Sequence, residues 1–237
     1  MVALRRRTMP DRIQRGSDEP TDDRIKELAD AFAEALLAGD EVGAEIAIRE
    51  AIDSKLSSAE IDEQLIAPAL WLVGELWERG KISVAEEHLA TEISLRVLAL
   101  QREAHRVMSS RTGRRVLLAT PTGELHVVAL RMVENLLRDA GYDVVMLGPD
   151  VPGEALGDVA KRLRIDVVCL SLTMAGRRSE VLSAIDNVRL VLPSAGFVVG
   201  GRGLTDEAHR RPVVHVCNRV SEVVEVVDAT VKRSSLN

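Results

Sequence analysis

A chain of 237 residues with 46% hydrophobic content is long enough for one large or two small domains with a real core. Its formal charge of −6 argues against a dedicated nucleic-acid binder, which presents a basic face and a recognisable module. No apolar run approaches the roughly 20 residues that span a bilayer, so no membrane association and a cytoplasmic location are expected. Aromatic residues make up only 2% of the chain, which leaves the core aliphatic and makes Trp71 and Trp77 worth explaining. Cys169 and Cys217 lie in apolar runs and read as buried thiols of a reducing compartment, not as a disulfide framework.

Residues 1–20 carry Arg5, Arg6, Arg7, Arg12 and Arg15 without the apolar stretch of a secretion signal, and are expected to form a disordered basic arm. From residue 21 to about 110 the apolar positions recur at helical spacing. Thr21-Asp22-Asp23 caps a first helix through Leu37, which Gly39 stops, and Asp40 caps a second to about Ser54. Ser57-Ser58 opens a third, with Glu60 placed for a capping box, and Pro68 predicts a break or kink near Ile66. That helix ends at Gly80, and Ser83 starts a long fourth to about Met108. Four helices with short connections predict an antiparallel bundle.

After the polar boundary Ser109–Gly113 the period changes. Short apolar runs at Val116–Ala119, Val144–Leu147, Asp166–Leu170, Phe197–Val199 and Val213–Val216 predict strands. Between and after them, helices are predicted over Glu124–Ala140, Pro152–Leu163, Arg178–Val191, a short stretch near Thr205–His209, and Val220–Val231. The fold class is therefore α/β: an N-terminal four-helix bundle followed, over residues 114–235, by a doubly wound five-stranded parallel sheet of Rossmann-like type.

Open sheets of this kind bind ligands at the carboxyl ends of their strands. Gly123-Glu124-Leu125-His126 follows the first strand, Ser171-Leu172-Thr173 ends the third, and Gly200-Gly201 ends the fourth. Imidazole is a common metal ligand, and Glu124, two residues before His126, is placed to fix its tautomer. The hydroxyls of Ser171 and Thr173 suit a buried heterocycle, and a glycine pair permits close approach of a bulky group. Together they suggest a site for a large metal-bearing cofactor. No nucleophile–base pair or phosphate-binding loop supports catalysis by the chain alone, so an enzyme is not expected.

In these motifs the chain resembles the cobalamin-binding domain shared by methionine synthase, methyltransferase corrinoid proteins and adenosylcobalamin mutases. The family pattern Asp-x-His-x-x-Gly stands here as Glu124-Leu125-His126-Val127-Val128-Ala129, with Glu for Asp and Ala129 for the final Gly. The resemblance implies that His126 is the lower axial ligand to cobalt. It also implies that the displaced benzimidazole tail passes Ser171, Leu172, Thr173 and the pair Gly200-Gly201. The Gly-Glu-x-His form is similar to that of the light-sensing regulators of the CarH type, whose bundle carries Trp, nine residues, then Glu-His. This chain has Trp77 and, after nine residues, Glu87-His88, which by resemblance face the upper axial group.

Those regulators begin with a helix-turn-helix domain, for which the roughly twenty residues before the bundle are too few, and they have a histidine where Glu78 follows Trp77. The chain therefore looks like a stand-alone adenosylcobalamin light sensor acting through an effector protein or its own homo-oligomer, a dimer by preference, without specific DNA binding. A resemblance to the photocobilins allows biliverdin, held noncovalently, as a second chromophore. The competing readings are a methyl-carrying corrinoid protein of a methyltransferase system and a cofactor-free response-regulator-like domain. The latter wants an acidic cluster at the first strand end that this chain lacks.

Overall fold

The structure, a computed structural model, describes residues 21–105, 109–204 and 214–234. Helix α1 (Asp22–Ala38) starts where the Thr21 side chain accepts from the Arg24 N–H, and ends at Gly39 in the left-handed region at φ 66°. Helix α2 (Glu41–Asp53) is capped by Asp40. Helix α3 (Ser58–Ile61) opens on the Ser57/Glu60 capping box. It does not break at Ile66. Pro68 has no N–H to offer the carbonyl four residues back, and the chain absorbs this in a π-helical turn, Asp62–Ile66, that runs on into α4 (Ala67–Glu78). A second capping box, Ser83 with Glu86, starts α5 (Val84–Ala104). The continuation predicted for this helix to Met108 runs into residues outside the described ones.

These helices bury Phe32, Leu36, Ile48, Ile61, Leu65, Ile93 and Leu98 in one core. Val128 and Met132, from the far side of the boundary segment, belong to the same core. The bundle is thus closed by the α/β part and does not finish its core alone.

The α/β part runs β1 (Arg115–Pro121), α6 (Val128–Asp139), β2 (Asp143–Val151), α7 (Gly153–Leu163), β3 (Val167–Ser171), α8 (Arg178–Val191), β4 (Gly196–Gly200), β5 (Val214–Cys217) and α9 (Val223–Ser234). All neighbours pair in parallel, in the order β2-β1-β3-β4-β5. Alternation along β1 sends Leu117 and Ala119 to the core under α7 and α8, and Val116 and Leu118 to the core under α6 and α9. Strand β2 is longer than its apolar run because its pairing with β1 continues to Val151. The short helix predicted near Thr205–His209 lies outside the described residues. Cys169 and Cys217 are free thiols, the first buried and the second partly so. Among the described residues no helix is long and apolar enough to cross a membrane.

Hydrogen bonds at Glu63 and at Asn135 pin the bundle to the α/β part. Glu63, on the π turn, accepts from Arg219 at 2.7 Å, from the Ser221 N–H at 2.9 Å and from the Ser221 hydroxyl at 2.8 Å. Arg102 of α5 donates to Asn135 of α6 at 3.2 Å, and Asn135 in turn donates to the Leu98 carbonyl.

Candidate functional site

In the order β2-β1-β3-β4-β5, the chain leaves β1 and β3 for helices on opposite faces of the sheet. A crevice opens between the carboxyl ends of such a strand pair. His126 follows one of these strands and Thr173 the other. The helix predicted from Glu124 begins only at Val128. The reason is local. The Glu124 carbonyl accepts from the Asp150 N–H and the Thr120 hydroxyl, and the Gly123 N–H donates to Asp150 at 2.6 Å, so the backbone is held in a loop. Gly123 sits at φ 76°, in the left-handed region.

Glu124 is fully buried, at 0% exposure. One carboxylate oxygen accepts from the His126 N–H and from His126 Nδ1, and the other accepts from the Thr173 and Met174 N–H groups at 2.8 and 2.9 Å. Burial by itself would raise its pKa. The hydrogen bonds from the His126 ring and from the Met174, His126 and Thr173 amides outweigh it and hold the acid down to about 2. Glu124 is therefore an anion at neutral pH, and one side chain ties the loop after β1 to the loop after β3. His126 is held by Nδ1, and Nε2 has no hydrogen-bond partner among the described residues. The bond to Glu124 raises the imidazole pKa, burial opposes this, and the charges of Glu124 and Glu87 add to the rise. An imidazole backed by a carboxylate, half exposed at 48%, with its second nitrogen free, is the arrangement of a metal-ligating histidine.

Glu87, whose charge reaches His126, lies in the first turn of α5. It accepts from Thr91 at 3.1 Å and bonds His88 Nδ1 at 2.6 Å, with His88 outermost and exposed. Trp77, 42% exposed, lies in the last turn of α4. Trp71, on the same helix, stacks on the Arg202 guanidinium 4.9 Å away, beyond the glycine pair. Leu72, Val84 and Leu89 on the bundle, and Leu125 and Met174 on the strand-end loops, are large apolar side chains left exposed. A surface of this composition around a few placed polar groups suits a broad, largely apolar ligand.

The B12 binding domain family matches residues 114–226, and a second B12 binding domain family matches residues 28–100. The chain belongs to the B12-binding proteins. It is 31% identical over 198 residues to the HTH-type transcriptional repressor CarH of Myxococcus xanthus, covering 81% of this chain and 63% of that one. It is 30% identical over 138 residues to trimethylamine corrinoid protein 2 of Methanosarcina acetivorans, covering 57% of this chain and 63% of that one. The chain thus spans less than two thirds of each of these relatives. The Methanosarcina barkeri monomethylamine corrinoid protein shares its fold, with a TM-score of 0.70 at 17% identity over 85% of this chain and 97% of that one.

The residues present fit cobalamin: His126 has Nε2 unpartnered among the described residues, Glu124 holds Nδ1, and Leu125 and Met174 are exposed on the strand-end loops. Of the positions expected from the sequence, Gly123, Glu124, Leu125, His126 and Thr173 meet at the strand ends. Thr173 joins the cluster through its N–H, which donates to Glu124. Ser171 is buried at the end of β3. Trp77, Glu87 and His88 stand on the bundle, with Glu87 near enough for its charge to act on His126. Leu172 is wholly buried in the core under α7 and α8, and Val128 is buried in the bundle core. Val127 only precedes α6, accepting from the Arg131 N–H. Sequence reasoning missed Thr120, Asp150 and Met174. The second strand end, with Asp150 three residues beyond Leu147, was the readable signal.

The glycine pair is occupied by the chain's own backbone. A Cβ on Gly201, at φ 106°, would lie 2.3 Å from the Leu172 carbonyl oxygen, and one on Gly200 would lie 3.2 Å from that of Cys217. Gly201→Ala is expected to cost about 1–3 kcal/mol in stability, from strain and the forced separation of two backbone segments. A thermal midpoint equal to that of the parent would contradict this.

Proposed function

We propose that this protein is a cobalamin-dependent light sensor, and not an enzyme, that signals through a partner protein or through its own assembly state. The observation that supports this reading is that the charge of Glu87, bonded to His88 on α5, reaches the imidazole of His126. A purely carrier protein needs the lower ligand but has no use for a fixed aromatic–acid–imidazole group on the opposite side. Bound adenosylcobalamin supplies a cobalt–carbon bond that visible light cleaves, by the cofactor's own chemistry. His126 would hold the cobalt through Nε2, with Glu124 keeping Nδ1 protonated and linking the loops after β1 and β3. Trp77 and Glu87 would confine the group the metal carries.

Because Glu78 follows Trp77, a carboxylate stands where an imidazole would capture the metal, and a carboxylate suits harder cations. The partly exposed Trp77 is instead available to a second chromophore, with biliverdin, held noncovalently, as the first candidate. A cytoplasmic homodimer that makes no sequence-selective DNA contact, in keeping with a charge of −6, completes the reading. CarH carries its repressor function in a longer chain, of which this one spans 63%.

The second reading is a methyl-carrying corrinoid protein. It is favoured by the likeness to trimethylamine corrinoid protein 2 and by the shared fold of the monomethylamine corrinoid protein. Reconstitution with adenosylcobalamin, with and without biliverdin, followed by absorption spectra in the dark and after illumination, separates the two. A light-induced change beyond that of the free cofactors is expected. No such change with either mixture would remove the light-sensor reading and promote the methyl carrier.

A further inference from the structure

Arg177 ends the short 3₁₀ turn Ala175–Arg177 that follows β3 and leads into α8. Its side chain reaches away from that turn. A Cβ built on Gly123 would run into Arg177 Nη1 and would lie 2.5 Å from Cζ and 3.1 Å from Nε, so the guanidinium rests on the backbone of the loop after β1. Arg177 thus crosses from the loop after β3 to the loop after β1, at the mouth of the crevice, three residues before His126 in the chain of that second loop.

The guanidinium is exposed, and no hydrogen bond or ion pair holds it among the described residues. The acids that shape this end of the sheet are engaged elsewhere. Glu124 is buried, and its two oxygens accept from His126, Thr173 and Met174. Asp150 accepts from the Gly123 N–H. Other arginines at the same end have partners in the fold. Arg178 Nε donates to the Gly203 carbonyl at 2.9 Å, Arg202 stacks on Trp71, and Arg219 pairs with Glu63 at 2.7 Å. Packing and pairing therefore account for those three and not for Arg177.

The two loops that Arg177 joins also expose Leu125 and Met174. A cation without a partner between exposed apolar side chains suits a ligand with a broad apolar body and one anionic group. Cobalamin has that make-up. The side chains of its corrin end in neutral amides, and its one acidic group is the phosphodiester of the nucleotide tail, ionised at any pH at which the protein is folded. Guanidinium is the side chain best matched to such a group, because its planar fork meets two phosphate oxygens at once.

We propose that Arg177 is the phosphate-contacting residue of the cobalamin site, pairing with the phosphodiester of the nucleotide tail and so selecting corrinoids that carry a complete tail. The proposal rests on the cobalamin reading above and is independent of any response to light. The left-handed φ of 76° already favours glycine at position 123, and the missing side chain also gives the guanidinium its seat. Because the pair is shared with water, its effect on affinity is moderate, a factor of about 5–20.

The test compares two corrinoids on the full chain in the dark. Adenosylcobinamide has the corrin and the upper group of adenosylcobalamin but neither phosphodiester nor benzimidazole. Arg177→Gln is expected to weaken adenosylcobalamin about 5–20-fold and to leave adenosylcobinamide within about twofold of the parent. Arg177→Lys, which keeps the charge and loses the fork, is expected to fall between the two proteins. Added salt is expected to narrow the gap between the parent and Arg177→Gln for adenosylcobalamin. The phosphorus-31 resonance of bound adenosylcobalamin is expected to shift in Arg177→Gln, which reads the phosphodiester directly. Arg177 is exposed, so both substitutions spare the core.

Equal losses for the two corrinoids would put Arg177 on the corrin and overturn the proposal. So would an unchanged affinity for adenosylcobalamin, or a phosphorus resonance that stays in place. If adenosylcobinamide binds too weakly to titrate, the salt dependence and the phosphorus resonance decide by themselves. A parent protein that binds neither corrinoid would instead remove the cobalamin reading itself, and this proposal with it.

Discussion

Replacing His126 by alanine is expected to weaken cobalamin binding by about 100-fold or more and to remove the imidazole-ligated spectrum of the complex. Losing a carboxylate that merely orients a ligand already costs about 10–100-fold in metal affinity, and losing the ligand itself costs at least as much. His126 lies at a surface loop with its ring half exposed, so the substitution leaves the packed core alone. Unchanged affinity and an unchanged axial-ligand spectrum in an absorbance titration would reject the assignment.

Glu124→Gln extends the test. Glutamine keeps the shape but removes the charge that raises the His126 pKa. Ligation requires the neutral ring, so binding in the parent is full at high pH and is lost as pH falls through the raised value. In the variant that loss is expected to move to lower pH, towards an ordinary imidazole, with weaker binding on the plateau. A midpoint that stays in place would mean that Glu124 does not set the charge of the ring.

Phe197→Ala is expected to lower stability by about 3–5 kcal/mol, measured by chemical denaturation. Phe197 is wholly buried in β4 between Val168 of β3 and Val214 of β5, and Arg189 of α8 stacks 5.2 Å from its ring centre. The cost is large because the surroundings are strands paired on both sides and cannot collapse into the void. Domains of ordinary stability hold about 5–15 kcal/mol in total, so this one substitution approaches the limit of what the sheet tolerates. Phe197→Leu, which fills most of the volume, is expected to lose much less. A loss below about 1 kcal/mol for the alanine variant would mean that the core under α7 and α8 is looser than described.

The helix starts were legible because capping depends on residues three apart. Thr21, Asp40, Ser57 and Ser83 each cap the helix expected of them. The bounds of α8 were also readable, since its apolar positions meet a single layer of the sheet. The start of α6 was not. Its four preceding residues have acceptable helical character, and what holds them out of the helix is Asp150 and Thr120, contributed by neighbouring strand ends. Pro68 gave warning of an irregularity near Ile66, but its form as a continuous π turn followed from packing on both sides.

By itself the sequence determined that a helical part precedes an alternating strand–helix part, that the sheet is parallel, and that Glu124, two residues before His126, can reach its ring. Those are matters of spacing along the chain, and spacing of two, three or four residues sets which groups can meet. Only the tertiary structure decided that β3 lies beside β1, which makes their ends the mouth of a crevice. It also decided that the second oxygen of Glu124 is taken by amides 49 and 50 residues away. The same holds for the burial of Leu172 and Val128, and for Asp62, whose place in the middle of a core no local pattern announces. Burial and pairing between distant segments arise from the summed removal of apolar surface from water, and that sum is complete only when all the elements are in place.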